Sequence, residues 1–293
     1  MKNVGSICRW FGAATMMLMV SGAVAMAQDN QDRPTLNKDK QQQQTQQPSG
    51  TTLTLDTAPA APANAEEDTA FKALQSMPEA ATANLQAKLQ AGEDFLQKYP
   101  QSHYRPVVYT YLTVGYIQLG QADKAISFGD KELELNPNDV ATMAVISQTI
   151  PRVYNASAPD AAKRLDKAEA LGKRAVEVIP TIPKPEGMTD EVFTNSKNQT
   201  LAMAHSGIGL VNWRRGKYAD AIPELEQSLK LDTIADPVNW FVLGIVNQNT
   251  SHFEDAASAF AKCALIAGKL QDTCKAKTEE AKKLAATKLS APK

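Results

Sequence analysis

Self-similarity at a fixed spacing is the feature that most constrains how this chain can fold. Three segments, at residues 120–128, 216–225 and 251–260, each place a turn residue five positions before an alanine. The pairs are Gly120 with Ala125, Gly216 with Ala221, and Ser251 with Ala256, and the last two alanines are 35 residues apart. A unit of this length is one supersecondary element, which cannot bury its apolar side alone and must stack on its neighbours.

The chain from about residue 67 onward has helical periodicity. Apolar residues recur at helical spacing there, and the alternation typical of strands is absent. The helix that precedes each turn carries a small residue at a matching place, at Thr113, Gly209 and Gly244. Small residues let the two helices of a pair approach closely. The sequence therefore predicts an all-α fold built of antiparallel helix pairs.

This pattern resembles the tetratricopeptide repeat, a helix–turn–helix unit of about 34 residues. The residues that match are Tyr109, Leu112, Tyr116, Gly120, Ala125 and Pro137 in the first clear copy, Ile208, Gly209, Gly216, Tyr218 and Ala221 in the next, and Trp240, Leu243, Gly244, Phe253, Ala256 and Phe260 in the last. The resemblance implies an α-solenoid whose first helices line a concave surface that binds proteins or peptides.

The repeat resemblance covers roughly residues 67–289 and gives a domain layout. About four repeats are predicted, at 104–137, 138–180 (a degenerate copy), 200–233 and 237–270. Prolines and a glycine at 181–198 predict an inserted irregular loop. An atypical helical hairpin at 67–103 precedes the repeats and a lysine-rich capping helix at 271–293 follows them, since terminal repeats meet water on one face.

The first 27 residues have the features of a signal peptide. Lys2 and Arg9 are basic, residues 10–25 are uncharged and mostly apolar, and Ala25-Met26-Ala27 is a small-x-small cleavage pattern. The alternative, a transmembrane anchor, needs about 20 apolar residues, more than this stretch supplies. We therefore expect cleavage after Ala27 and a bacterial periplasmic or secreted protein. Residues 28–66 are rich in Gln, Pro and Ala, which predicts a disordered tether.

The composition indicates no catalytic or cofactor chemistry. The formal net charge is −1, which gives no electrostatic footprint for nucleic acid. His103, His205 and His252 are not spaced with other ligands as a metal set is, and His205 is interpreted as an interior histidine with a hydrogen-bond partner. We expect no cofactor, no metal, no enzyme activity and no stable membrane insertion of the mature chain.

Helical stripes on the first helix of each pair predict the concave groove. The predicted groove residues are Val107, Thr110, Val114 and Gln118 in the first copy; Ala141, Ala144, Gln148 and Arg152 in the second; Met203, Ser206, Leu210, Trp213 and Arg214 in the third; and Val238, Phe241, Ile245, Gln248 and Asn249 in the fourth. The alternative is that the N-terminal helices or the inserted loop cover part of this stripe.

The function expected from these observations is a non-catalytic, exported scaffold that binds a protein or peptide in an apolar concave groove. The groove lacks the basic set with which some relatives in the tetratricopeptide-repeat family hold a terminal carboxylate, so that activity is not carried over. A self-associating or structural component of a cell-envelope assembly is the alternative.

Two cysteines remain after signal cleavage, Cys263 and Cys274, and an even number in an exported chain favours a disulfide. On one continuous helix the 11-residue separation would place them about 16 Å apart. Gly268 lies between them where a helix is expected to end, so a turn there allows them to meet. The alternative is that both are reduced and serve as small apolar residues.

Overall fold

The computed structural model describes residues 64–290, apart from 233 and 235. Within this range the chain forms eleven α-helices and no strand. The helices are α1 (Ala65–Gln75), α2 (Thr82–Lys98), α3 (Arg105–Gln118), α4 (Ala122–Leu135), α5 (Val140–Arg152), α6 (Ala161–Val178), α7 (Asp190–Arg214), α8 (Tyr218–Leu231), α9 (Pro237–Asn249), α10 (Phe253–Ala264) and α11 (Gln271–Ser290). The predicted all-α solenoid is confirmed. The predicted signal peptide and nearly all of the predicted tether lie outside the described residues.

The repeated turns have the same backbone geometry. Gly120, Gly216 and Ser251 all adopt positive φ, at 70°, 73° and 64°. In each turn the next amide closes onto a carbonyl five residues earlier: Gln121 onto Tyr116 at 2.8 Å, Lys217 onto Asn212 at 2.9 Å, and His252 onto Asn247 at 2.9 Å. These bonds satisfy carbonyls that the end of a helix leaves without partners. The aligned turn residues are therefore structurally equivalent. Of the three, only Ser251 has a Cβ atom, for which a positive φ is unfavourable.

Small residues keep the two helices of each pair close together. Ala125, Ala221 and Ala256 are fully buried. A Cβ atom added at Gly209 would lie 2.8 Å from Cγ of Leu225, and one at Gly244 would lie 2.5 Å from Cε1 of Phe260. Such distances are shorter than side chains tolerate, so a larger residue would push the paired helices apart.

Helices α5 and α6 of one pair and α7 of the next approach one another closely. A Cβ atom on Gly207 of α7 would meet the hydroxyl of Ser147 and lie 2.7 Å from the Ser147 carbonyl carbon. A Cβ atom on Gly172 of α6 would lie 2.6 Å from the same hydroxyl. Ser147 is fully buried. The three helices therefore pack around one crowded point, where backbone meets backbone.

The structure corrects two predicted boundaries. Residues 190–198, expected within an irregular loop at 181–198, form the first turns of α7, which Thr189 caps by accepting a hydrogen bond from the Val192 amide at 3.3 Å. The negative charges of Asp190 and Glu191 in that first turn interact favourably with the positive end of the helix dipole. Helix α1 begins at Ala65, inside the predicted tether, because the Asn64 side chain caps it. Proline and glycine content predicted the loop but not where it ends.

One position on the second helix of each pair faces the next helix along the chain. It is fully buried in all four copies and holds Glu132, Ala175, Ser228 and Cys263. The four residues make different kinds of contact with the next helix, and Cys263 forms a covalent bond to it. The predicted disulfide is present: Cys263 on α10 is bonded to Cys274 on α11, with Cα atoms 5.8 Å apart. Gly268, between them, has a φ of 151°, and the chain turns there as expected.

Candidate functional site

The face of α3 is the open part of the predicted groove. Val107 is 41% exposed, Gln118 is exposed, and Thr110 and Val114 are half-buried. Among the described residues of the predicted stripe, Val107 is the one large apolar side chain that is exposed, whereas Val238, Phe241 and Ile245 of α9 are half-buried. A partner that reaches the solenoid therefore meets apolar side chains on α3.

The centre of the predicted groove is closed, which corrects the assignment of Ser206 and Leu210. Both are fully buried. The Ser206 hydroxyl donates to Oδ1 of Asn239 on α9 at 2.7 Å, and Nδ2 of Asn239 donates to the Ser228 hydroxyl at 3.1 Å. Leu210 packs in the cluster that α7, α8 and α9 share, with Val242 among its members. Neighbouring first helices cover this stripe because they approach one another so closely.

The same close packing buries Ala144 on α5. Ala141, Gln148 and Met203 remain half-buried beside the closed centre. Met203 packs against the α5–α6–α7 core cluster. These residues contribute at most a narrow strip to an accessible surface.

The two arginines of the predicted groove hold helices together. Arg152 at the end of α5 forms an ion pair with Asp236, the buried capping residue of α9. Nε of Arg214 donates to the Pro151 carbonyl at 2.8 Å, and its guanidinium lies 4.1 Å from the centre of the Trp213 ring. Both cations thus join the ends of α5, α7 and α9. Their charge is committed to the fold.

The predicted groove residues of α9 lie against the C-terminal helices. The Phe241 ring centre is 5.9 Å from that of Phe260, and Ile245 packs on the same α10–α11 cluster. Gln248 donates to the Glu280 carboxylate of α11 at 2.9 Å. Val238 is half-buried in the α7–α8–α9 cluster, whereas Asn249 is exposed. Helices α10 and α11 therefore cover part of this end of the stripe.

An apolar pocket adjoins the open face of α3. It lies between α2 and α3, has a volume of about 60 Å³, and is walled mostly by aliphatic side chains. Tyr111, Val114 and Gln118 of α3 form the side shared with the open face. A larger depression of about 480 Å³ between the α3–α4 turn and the α5–α6 connection is shallow, and the Arg164–Asp123 ion pair at 2.8 Å lies at its edge.

A buried lysine forms one wall of the α2–α3 pocket. Lys88 is 7% exposed, and its Nζ lies 2.5 Å from the Glu79 carboxylate. It also lies 3.4 Å from the carbonyls of Gln75 and Met77 and 5.3 Å from the centre of the Tyr111 ring. Sequence reasoning missed Lys88. The available signal was a lysine on the apolar stripe of α2, three residues after Leu85 and four before Gly92.

A buried pair of carboxyl groups joins α4 to α5. Asp139 caps α5, accepting from the Ala141 amide at 3.0 Å and from the Thr142 hydroxyl at 2.8 Å. Burial, and next the negative charge of Asp139, raise the pKa of Glu132 to about 8. Burial also raises the pKa of Asp139. Glu132 is therefore protonated in the fold at neutral pH. The other copies hold Ala175, Ser228 and Cys263 at this position, so a neutral acid stands where they have small side chains.

The interior histidine has the partner expected of it. Nδ1 of His205 on α7 lies 2.7 Å from the Glu224 carboxylate on the paired helix α8. Across the described residues, no group of three or more His, Cys, Asp or Glu side chains is arranged to hold a metal ion. Nor does any helix in that range combine the length and the apolar character needed to cross a bilayer.

Comparisons with known proteins find similarity at the level of fold. No family model matches the chain, and no curated protein does. Among solved structures, PilW, described as a widely conserved type IV pilus biogenesis factor, superposes with a TM-score of 0.51 at 15% identity, over 77% of this chain and 93% of that one. TTC0263, a thermophilic TPR protein in Thermus thermophilus, gives 0.48 at 20% identity, over 73% and 98%. The PilW superposition shows a similarity of fold, and it agrees with the repeated helix pairs and turns that resemble the tetratricopeptide repeat.

Proposed function

We propose that this protein is an exported, non-catalytic scaffold that binds a protein or peptide along the face of α3 and in the adjoining α2–α3 pocket. The tetratricopeptide-repeat fold supports a role in protein–protein interaction, because a stack of helix pairs offers an extended surface for a partner. The expected absence of catalysis is part of the same proposal.

The observation that carries the proposal is the contrast along the predicted groove. Its centre is closed by α5, α7 and α9 and its α9 end is partly covered by α10 and α11, whereas Val107 and Gln118 on α3 are exposed. An accessible apolar face next to an apolar pocket is the kind of surface at which a partner's side chains anchor. Binding is therefore assigned to the N-terminal half of the solenoid.

Two exposed valines provide a matched test. Val107 on α3 is 41% exposed and Val192 on the N-terminal extension of α7 is 46% exposed. We expect Val107→Asp to abolish capture of the partner in crosslinking pull-downs from the native cell envelope. The new carboxylate would lose its hydration when the partner covers the apolar face, and that loss costs binding free energy. Val192→Asp is the control and should capture as the unaltered protein does, with helical circular dichroism unchanged in both variants.

Two outcomes contradict the proposal. Equal loss or equal retention of capture in both variants would show that the α3 face is not the binding surface. If the captured protein is a second copy of this chain, the self-associating envelope component is the correct function. Crosslinking between two differently tagged copies separates these cases.

Export rests on the N-terminal features and on the disulfide. Residues 10–25 and the Ala25-Met26-Ala27 pattern are typical of a cleaved signal peptide. A disulfide such as Cys263–Cys274 is typical of oxidising compartments outside the cytoplasm. We expect the mature protein to begin at Gln28 and to fractionate with the periplasm or the medium. N-terminal sequencing of the native protein that still shows Met1 would contradict export by this route.

A further inference from the structure

The pairing of Lys88 is asymmetric. Its side chain is 9% exposed, whereas that of Glu79 is 53% exposed. Lys88 belongs to the rigid helix α2, but Glu79 belongs to the irregular connection between α1 and α2. The buried member of the ion pair is therefore fixed, and the exposed member comes from a segment outside any helix.

A buried ammonium group needs an anionic partner nearby, because its removal from water is costly. Glu79 is the only carboxylate among the residues that line this pocket. The carbonyls of Gln75 and Met77, each at 3.4 Å, are longer contacts. Another carboxylate in the place of Glu79 would preserve the charge balance of Lys88.

The connection itself shows what kind of segment fits. Two residues before Glu79, Met77 packs partly buried against the core cluster of α1, α2 and α3. The residues Met77-Pro78-Glu79 thus place an apolar side chain on that core cluster, next to the pocket, and a glutamate carboxylate on Lys88. Beside them, about 60 Å³ of cavity walled by Leu85, Leu89 and Val114 is unfilled. This space is enough for the methyl groups of one more apolar side chain.

We propose that the α2–α3 pocket binds a partner peptide in which a glutamate follows an apolar residue by two positions. The peptide's glutamate pairs with Lys88 and displaces Glu79, and its apolar side chain takes the place of Met77 against the α1–α2–α3 core cluster. Residues 77–79 act as an internal competitor that holds the pocket until the partner arrives. This inference rests on the proposed function and adds the chemistry of the ligand.

Synthetic peptides test the charge requirement directly. The probe is acetyl-Ser-Met-Pro-Glu-Ala-amide, the sequence of residues 76–80, and its control carries glutamine in place of the glutamate. Binding to the full mature chain is followed by NMR titration at millimolar concentrations. We expect the glutamate probe to bind about tenfold more tightly than the glutamine probe, since a charge-assisted hydrogen bond replaces a neutral one.

Variants of the ion pair sharpen the test. Glu79→Gln removes the internal competitor, so the glutamate probe should bind it about tenfold more tightly than it binds the unaltered protein. The double variant Glu79→Gln/Lys88→Met leaves no buried charge and should bind both probes equally. If Glu79→Gln does not fold, comparing the unaltered protein with the double variant still tests the inference. Only the unaltered protein should bind the glutamate probe more tightly than the glutamine probe.

Equal affinity of the two probes for the unaltered protein, or no titration of either, overturns the inference. This failure is distinguishable from failure of the proposed function. Capture of a partner that depends on Val107 but shows no preference for glutamate would leave the binding face in place and remove only the assigned ligand chemistry. If capture does not depend on Val107 and neither probe is preferred, both the binding face and the ligand chemistry are wrong.

Discussion

Replacing Glu132 by glutamine should stabilise the protein above neutral pH and reduce the fall of its stability between about pH 5 and pH 8. The pKa of Glu132 is raised from 4.5 to about 8 in the fold, first by burial and then by Asp139. In the unfolded chain the same carboxyl titrates near its ordinary value. The folded state therefore retains a proton that the unfolded state has released.

The sign of the effect follows from this proton. A carboxyl whose pKa is raised on folding contributes its full stability below the unfolded value near 4.5, and that contribution falls as the pH rises toward 8. Each pH unit between these values costs about 1.4 kcal/mol. Across the interval from pH 5 to pH 8, where the folded group begins to ionise, the loss is about 3 kcal/mol.

Urea unfolding at a series of pH values measures the effect. The free energy of unfolding of the unaltered protein should fall across the interval, and that of Glu132→Gln should fall less steeply, since Asp139, whose pKa burial also raises, remains. Glu134→Gln, an exposed glutamate on the same helix, is the control and should follow the unaltered protein. Asp139→Asn keeps an efficient N-cap but removes the second cause of the shift, so the pH dependence should shrink without vanishing. If the free energies of unfolding of Glu132→Gln and the unaltered protein change with pH in parallel, Glu132 is not a protonated carboxyl in the folded state.

Three further substitutions test the packing of the solenoid by thermal and urea unfolding. Ser251→Gly should raise the free energy of unfolding by about 0.5–1 kcal/mol, because glycine adopts the positive φ of this turn without strain; a decrease would contradict the turn geometry. Gly207→Ala should lower it by about 1–3 kcal/mol, since the added methyl meets Ser147; an unchanged value would show that α5 and α7 are not in contact there. Replacing Cys263 and Cys274 together by alanine should cost about 2–3 kcal/mol, and mass spectrometry of the exported protein should detect no thiol that alkylates without reduction.

The sequence predicted the fold well because its signals are local and repeated. Gly120, Gly216 and Ser251 were aligned by spacing alone, and the structure gives all three the same positive φ. The disulfide prediction followed from two cysteines, the predicted export signal and Gly268. Each of these inferences depends on residues within one helix pair or at one turn, where short-range geometry decides the outcome.

The candidate site was harder to predict because it depends on how neighbouring pairs pack. A helical stripe shows which side of α7 carries Ser206 and Leu210, but not that α7 approaches its neighbours so closely that this side is buried. That approach depends on Gly207 meeting Ser147 on a different pair. Lys88 was missed for a related reason: its partner Glu79 lies outside the helical periodicity on which the prediction relied.

The interior position shared by Glu132, Ala175, Ser228 and Cys263 makes each joint of the solenoid sensitive to a different chemical condition. The joint from α4 to α5 includes an acid that must ionise as the pH rises, and the joint from α10 to α11 includes a bond that only a reductant breaks. At Ala175 the contact is aliphatic packing, against a cluster that includes Ala204. Because each repeat contacts only its neighbours, loosening one joint leaves the others closed. Hydrogen exchange at alkaline pH should therefore rise first beside α4, whereas exchange under reducing conditions should rise first in α11.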